Sequence, residues 1–419
     1  MTVAGGNLPA YALFAAMLAM AGLPIYIHAP KFYVDQYGVS LAALGGVLFL
    51  LRLIDVVQDP ALGWLSRRLR HRRAVAVGVG AGVMALAMLG LFAMTPPVDP
   101  ILWFALTLAA LFSGFSFLTI TFYAQGVAKA EALGRDGHVR LAGWRETGAL
   151  LGVSVAAVAP VAFLAMTDRP FALFAALFAL LAVIAGWSMR REWVAATLPA
   201  ETGFREILGD PLARRLLLIA LLNAAPVAVT STLFLFFVES RLDAPGWEGP
   251  LLLLFFLAAA GAAPLWSRIA RQIGAKQALM SGMVLSILSF GWAAFLGAGD
   301  ILPFVVICIA SGAALGADMT LLPAIFAGRV AEVSPEAAEG FGLWSFVSKL
   351  SLALAAVALL PILEASGFQA GSAALSDSAK TTLTAMYAVL PCVLKIAALA
   401  LLAATPLGGT EAEARLKEA

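Results

Sequence analysis

Residues 52–60 read RLIDVVQDP, inside an apolar stretch that runs from Leu41 to Leu65. An arginine and two aspartates are out of place in a segment long enough to cross a bilayer. Each ionised group near mid-membrane costs about 2.5–3.5 kcal/mol on insertion scales. Asp55 and Asp59 are four residues apart, so on a helix they share one face, one turn apart. Two bare carboxylates there would also repel each other. A proton or a small cation between them relieves both penalties, and oxygen ligands suit a hard ion such as Na⁺ or Li⁺. Gln58 adds a carbonyl oxygen beside the pair, and Arg52, three residues before Asp55, can flank it. Neutralisation of both acids by Arg52 and a lysine from another helix is the static alternative.

The rest of the chain has the composition of a membrane protein. Of its 419 residues 62% are hydrophobic and 12% charged, and mean hydropathy is +0.94, whereas soluble domains run near half apolar and a quarter charged. A net charge of +2 argues against a nucleic-acid partner. Cys308 and Cys392 lie in apolar runs without metal-ligand spacing, and the three histidines are scattered. There is no HExxH or GxSxG, so an enzyme is not expected, nor is a resident cofactor. With no Lys or Arg before Lys31, residues 8–34 read as a retained helix rather than a cleaved signal.

Apolar stretches of about 20 residues predict an all-α integral membrane fold of twelve transmembrane helices. They lie near 8–34, 41–65, 74–94, 101–130, 139–166, 171–189, 213–239, 250–268, 277–298, 301–331, 343–366 and 381–404. Basic residues cluster in alternate loops: SRRLRHRR (66–73), Lys129 to Arg140, Arg190 to Arg215 and Arg268 to Lys276. TPPVDP (95–100) and GAGD (297–300) have none. The positive-inside rule then puts both termini in the cytoplasm, the chain being a multi-pass protein of the inner (plasma) membrane. The one long polar interruption divides the chain into an N-terminal six-helix bundle (1–189), a cytoplasmic loop (190–212) and a C-terminal six-helix bundle with a short tail (213–419). GWLSRRLRHRRAV after the second span and PLWSRIARQIGAKQAL after the eighth echo each other at equivalent places. Six plus six with a central loop is the layout of the major facilitator superfamily, whose substrates bind at mid-membrane.

Further charges lie within the spans. Lys349, in LWSFVSKLSLAL, is a candidate mobile counter-charge for the aspartates, Arg145 and Glu146 open the fifth span, and Asp318 lies in the tenth. Lys395, in the twelfth, can snorkel, and for Asp318 and Lys395 a static structural role is the expected reading.

GVSLAALGGVLFLLRLIDVVQDPALGWLSRR (38–68) resembles the helix-two signature of the glycoside-pentoside-hexuronide:cation symporters, the melibiose-permease family. GRDGHVRLAGWRETGALLG (134–152), NAAPVAVTSTLFLFFVESRL (223–242), PLWSRIARQIGAK (264–276) and EGFGLWSFVSKLSLALA (339–355) resemble further motifs of that family, in its order. The resemblance implies a symporter coupled to Na⁺, Li⁺ or H⁺, with Asp55 and Asp59 as cation ligands (the metal ligands if the ion is Na⁺). It also implies a helper amide at Gln58, where well-known members have Asn, a helix-four hydroxyl at Ser116, and the helix-eleven lysine at Lys349; Arg52, flanking Asp55, is the second candidate coupling residue. The sugar side departs from the pattern. Leu18-Ala19 replace a Lys-Asp pair, Thr119 replaces the helix-four acid, Tyr123 the stacking tryptophan, and only the helix-five Arg145 is kept. Tyr26, Thr119, Tyr123, Arg145 and Trp344 are the candidate substrate residues. The implied function is cation-coupled symport of a small solute such as a glycoside or related sugar. The alternatives are an anionic or amphipathic, lysolipid-like substrate, or a proton-linked exporter on the same fold. The expected partners are a small-molecule substrate and the lipid bilayer, and no obligate protein partner is evident.

Overall fold

Helices begin and end where local chemistry requires it. In the computed structural model, residues 7–134, 136–193, 203–334, 337–366 and 377–407 are described, with their side chains except for some within helices, Tyr26 and Arg52 among them. The chain runs through α1 (Leu8–Met20), α2 (Leu23–Tyr37), α3 (Leu41–Arg68), a single 3₁₀ turn (Arg70–Arg72), α4 (Arg73–Phe92), α5 (Pro100–Ala132), α6 (Gly137–Phe163) and α7 (Pro170–Met189). It continues through α8 (Phe204–Gly209), α9 (Pro211–Phe236), α10 (Glu248–Ile273), α11 (Ala275–Ala293), α12 (Ile301–Val333), α13 (Ala338–Ala365), α14 (Asp377–Thr384) and α15 (Leu390–Ala403). A π-helical turn, Phe237–Arg241, extends α9, and another, Ala385–Val389, joins α14 to α15.

Side-chain caps take up backbone N–H groups that a helix start leaves unpaired. Ser40 accepts from Ala43 N at the head of α3. Asp99 accepts from Ile101 N and Leu102 N, with Pro100 opening α5. Asp210 accepts from Ala213 N, with Pro211 opening α9. Gly38 ends α2 in the left-handed region, at φ 64°.

Each span expected from the sequence coincides with a helix or a pair of helices. Among the described residues, seven helices are long and apolar enough to cross a membrane: Arg70–Phe92, Pro100–Ala132, Pro170–Met189, Pro211–Arg241, Glu248–Ile273, Ile301–Val333 and Ser378–Ala403. The first expected span is two helices, α1 and α2, broken at Ala21 and Gly22 with Pro24 in the first turn that follows.

The chain forms two compact units. The first comprises Met1–Glu206 with Val330–Phe346, and the second Ile207–Arg329 with Val347–Ala419. In the first unit α1 lies against α6 with no side chain between them. A Cβ built at Gly148 or Gly152 would overlap the carbonyl oxygen of Ala12 or Ala16. Aromatic side chains fill the space around this seam, Tyr11 and Phe14 packing on Phe122, and Phe14 on Trp193. In the second unit Phe237 stacks on Tyr387, ring centroids 4.1 Å apart, with Phe304 against both. The large apolar residues on the outer faces stay uncovered, Leu86 at 70% and Val183 at 68% exposure, as expected of helices solvated by lipid.

Candidate functional site

The two aspartates of RLIDVVQDP are both buried, Asp55 at 5% and Asp59 at 0% exposure. Asp55 lies in a chain of polar groups between α3 and α5. Gln58 Nε2 donates to Asp55 Oδ1 (2.7 Å), and Ser113 Oγ donates to Gln58 Oε1 (3.0 Å). Ser116, buried, is less than a turn further along α5. Asp59 Oδ2 accepts from Ser345 Oγ at 2.5 Å. That bond depends on an unusually close approach of two backbones. A Cβ on Gly342 would stand 3.0 Å from the Asp59 carbonyl oxygen and 3.3 Å from Gly63 Cα, so glycine at both positions lets the first turns of α13 reach α3. A turn further along, Arg67 Nε pairs with Glu339 Oε1 at 3.0 Å.

The structure thus gathers Asp55, Gln58 and Asp59 with hydroxyls from neighbouring helices: two carboxylates, an amide and serines, the ligand chemistry of a hard cation. Ser113 and Ser345 were not anticipated. Isolated serines on apolar helices carry no signal until their neighbours are known. Trp344 and Lys349 are both half-buried on α13, Trp344 in the part belonging to the first unit and Lys349 in the part belonging to the second. The side chains of Arg52 and Tyr26 lie outside the described residues.

A second group forms where α5 meets α6. Arg145 Nε donates to Glu146 Oε1 (2.7 Å), Tyr123 OH donates to the same oxygen (2.8 Å), and the guanidinium carbon stands 3.6 Å from the Tyr123 ring centroid. Arg145 and Glu146 are 5% and 1% exposed. Two buried atoms of this group, Arg145 Nη2 and Thr119 Oγ1, have no hydrogen-bond partner among the described residues. Glu146 was not expected here. It returns a carboxylate to a region that, judged on Thr119 alone, had lost its acid.

In the second unit Lys395 does not snorkel as its place in the sequence suggested. It is 1% exposed, donates to Asn223 Oδ1 at 2.6 Å, and forms an ion pair with Asp318 Oδ2. Asn223 of α9 and Asp318 of α12 give it a polar terminus inside the bundle, so it has no need to reach a membrane surface.

A family model described as MFS/sugar transport protein matches residues 9–409. The chain belongs to this family. It is therefore a multi-pass membrane transport protein of the major facilitator superfamily rather than an enzyme, with a small-molecule substrate. Among solved structures, a bacterial homologue of the iron transporter ferroportin in its outward-facing state matches with a TM-score of 0.66 at 14% identity, covering 99% of this chain and 100% of that one. The same homologue with soaked iron gives 0.67 at 14%, covering 95% and 99%. At such identity the likeness of this MFS transporter to that homologue concerns the fold. No curated protein matches this family member.

Proposed function

We propose that the protein is a symporter in which Na⁺, Li⁺ or H⁺ bound at Asp55 and Asp59 drives uptake of a small solute, a glycoside or related sugar. It would work by alternating access across twelve spans in the inner membrane, with both termini cytoplasmic. The observation that carries this reading is the pair of buried aspartates one helical turn apart on α3, Asp55 bonded to Gln58, which Ser113 holds in turn, and Asp59 bonded to Ser345, on a transporter fold. The resemblance of residues 38–68 to the melibiose-permease signature supports the same reading, with Gln58, Ser116 and Lys349 in the roles it implies.

Burial of two carboxylates on one helix face favours a proton or a cation beside them. In the arrangement described, the Gln58 amide N–H faces Asp55, and serine O–H faces Asp59. A coupling ion would take over from the amide, whose oxygen would turn inward as a ligand. Ion and substrate then raise each other's affinity by the same factor. Glu146, Arg145 and Tyr123 supply a carboxylate, a guanidinium and an aromatic face suited to sugar hydroxyls and a ring.

A second reading, an anionic solute, is favoured by Arg145 Nη2, a buried donor with no acceptor among the described residues. The test is thermal stability and liposome uptake in gradients of Na⁺, Li⁺ or protons, with glycosides, sugar acids and lysolipids as candidate solutes. A ligand at 100 times its Kd adds about 2.7 kcal/mol. Asp59→Ala is expected to abolish ion-driven accumulation, and retained uphill transport in that variant sinks the mechanism.

A further inference from the structure

The second unit holds two ion pairs that are built differently, one half-buried and one buried. Arg329 and Asp210 form a closed pair. Arg329 Nε donates to Oδ1 (3.0 Å) and Nη2 to Oδ2 (2.6 Å), while Ala213 N also donates to Oδ1 (2.7 Å). Both carboxylate oxygens are used, as a structural brace requires. Asp318 and Lys395 form an open pair. Lys395 has Asn223 Oδ1 and Asp318 Oδ2, but Asp318 Oδ1 is buried with no hydrogen-bond partner among the described residues.

Stability does not explain the open pair. Desolvating both ions costs several kcal/mol each, and apolar residues of similar volume in such places are commonly neutral or stabilising. An ionisable pair at membrane depth points instead to function. The unused atom is an acceptor, so the missing group is a proton, a cation or a ligand donor. An anion would be repelled there. A metal cation is disfavoured, because the Lys395 ammonium already occupies the cation position against the carboxylate. Among the described residues no group of three His, Cys, Asp or Glu surrounds a common point. A proton is different, since it adds to Oδ1 without displacing the ammonium, and Lys395 keeps its bond to Asn223.

We infer that Asp318 is a proton-binding site of the second unit, with Lys395 as its tethered counter-charge and Asn223 as the partner that holds Lys395 when the carboxylate is neutral. Lys395 is the one charge acting on Asp318 among the described residues, and Asn223, which holds Lys395, also acts on the Asp318 carboxylate as its one amide hydrogen-bond partner. The other titratable groups of these helices are Arg214 and Arg215 near the start of α9, Cys308 near the start and Arg329 and Glu332 near the end of α12, and on α15 Cys392, whose Sγ donates to Ile287 O; Tyr387 lies in the π-helical turn ahead of α15. Of the polar groups on α12 near Asp318, Ser311 donates to its own helix at Ile307 O, and Thr320 Oγ1 is buried with no hydrogen-bond partner among the described residues. From the helix packed alongside, Trp266 Nε1 donates to Ala313 O. The site is distinct from Asp55 and Asp59 and does not depend on the symport reading.

The test uses protons alone as probe and needs no substrate. Infrared difference spectra of the full-length purified chain, taken as pH is lowered from alkaline to mildly acidic, report the carbonyl stretch of any buried carboxyl that takes up a proton. A band is expected that persists in the Asp55→Asn, Asp59→Asn double variant and is lost in Asp318→Asn. In Lys395→Met its half-point should move to alkaline pH by about ten- to a thousandfold in proton affinity, the usual effect of removing an adjacent opposite charge. Asp318→Asn alone leaves Lys395 without its counter-charge and can fail to fold. The Asp318→Asn, Lys395→Met double variant carries neither charge and should also lack the band. A band that survives in the double variant, or one that Lys395→Met leaves in place, overturns the assignment. So does the lack of any such band in the native chain, which would make the pair a static brace.

Discussion

Gly148 and Gly152 make the seam between α1 and α6 a sensitive place to perturb. The atoms that a new Cβ would overlap are the backbone carbonyls of Ala12 and Ala16, so no change of rotamer clears the clash. The helices must part or bend. Overpacking costs about 1–3 kcal/mol, and backbone overlap belongs in the upper part of that range. Against it stands about 1 kcal/mol that alanine gains over glycine inside a helix. Gly148→Ala should therefore destabilise by about 1–2 kcal/mol net. Gly186 on α7 is the control, since a Cβ there meets nothing within 4 Å. Gly186→Ala should stabilise by about 0.5–1 kcal/mol. Unfolding midpoints of both variants in one detergent check the difference. If Gly148→Ala melts with or above Gly186→Ala, the close-approach argument fails. The Gly148, Gly152 double variant should lose less than the sum, because both glycines serve one contact. Arg145 and Glu146 lie within one turn of Gly148, so the same variant should also disturb the bonds around Tyr123.

Three other outcomes can be stated. Glu146→Leu should destabilise by about 3–5 kcal/mol by leaving Arg145 buried and unpaired, while Arg145→Leu with Glu146→Leu should fall near the native value; a double-mutant cycle by thermal unfolding measures this. Phe237→Ala, which empties a fully buried site, should cost about 3–5 kcal/mol, whereas Phe295→Ala at an 83% exposed position should stay within about 0.5 kcal/mol, compared in the same melts. Burial raises the Asp210 carboxyl, but the bonds from Arg329 and Ala213 N and the charges of Arg329 and Arg214 outweigh it and hold the group below the usual aspartate value. Its contribution to stability is therefore whole above the unfolded value of about 3.9 and is lost as pH falls through the lowered one. Melting midpoints against pH should be flatter on the acid side in Asp210→Asn, and an unchanged slope would count against the pair.

What the sequence made legible was whatever repeats along one chain segment. Long apolar runs separated by basic loops led to helices at every expected span, and the spacing of Asp55 and Asp59 pointed to a shared buried face. The break in the first span was also written there, in AGLP, but a hydropathy window averages over a glycine followed by a proline. Pairings between segments were hidden. Asn223, Asp318 and Lys395 belong to three helices far apart in sequence, and Lys395 taken alone reads as a residue that reaches for the membrane surface. Arg145 and Glu146 are adjacent, a spacing at which helix side chains normally diverge. Their bond arises because Tyr123 of another helix draws both to one point.

The π-helical turn at Ala385–Val389 sets the phase of everything after it. Ahead of the turn, Ala379 and Leu383 face inward, and after it Pro391, Lys395, Ala398 and Leu402 do the same. A plain α-helix advances roughly 100° per residue, so the same residues wound without the turn would carry Lys395 that far from Asp318. The turn absorbs one residue and keeps both inward stripes in line. Length changes here should thus be asymmetric: removal of one residue from 385–389 leaves the downstream face in step, while addition of one throws it out.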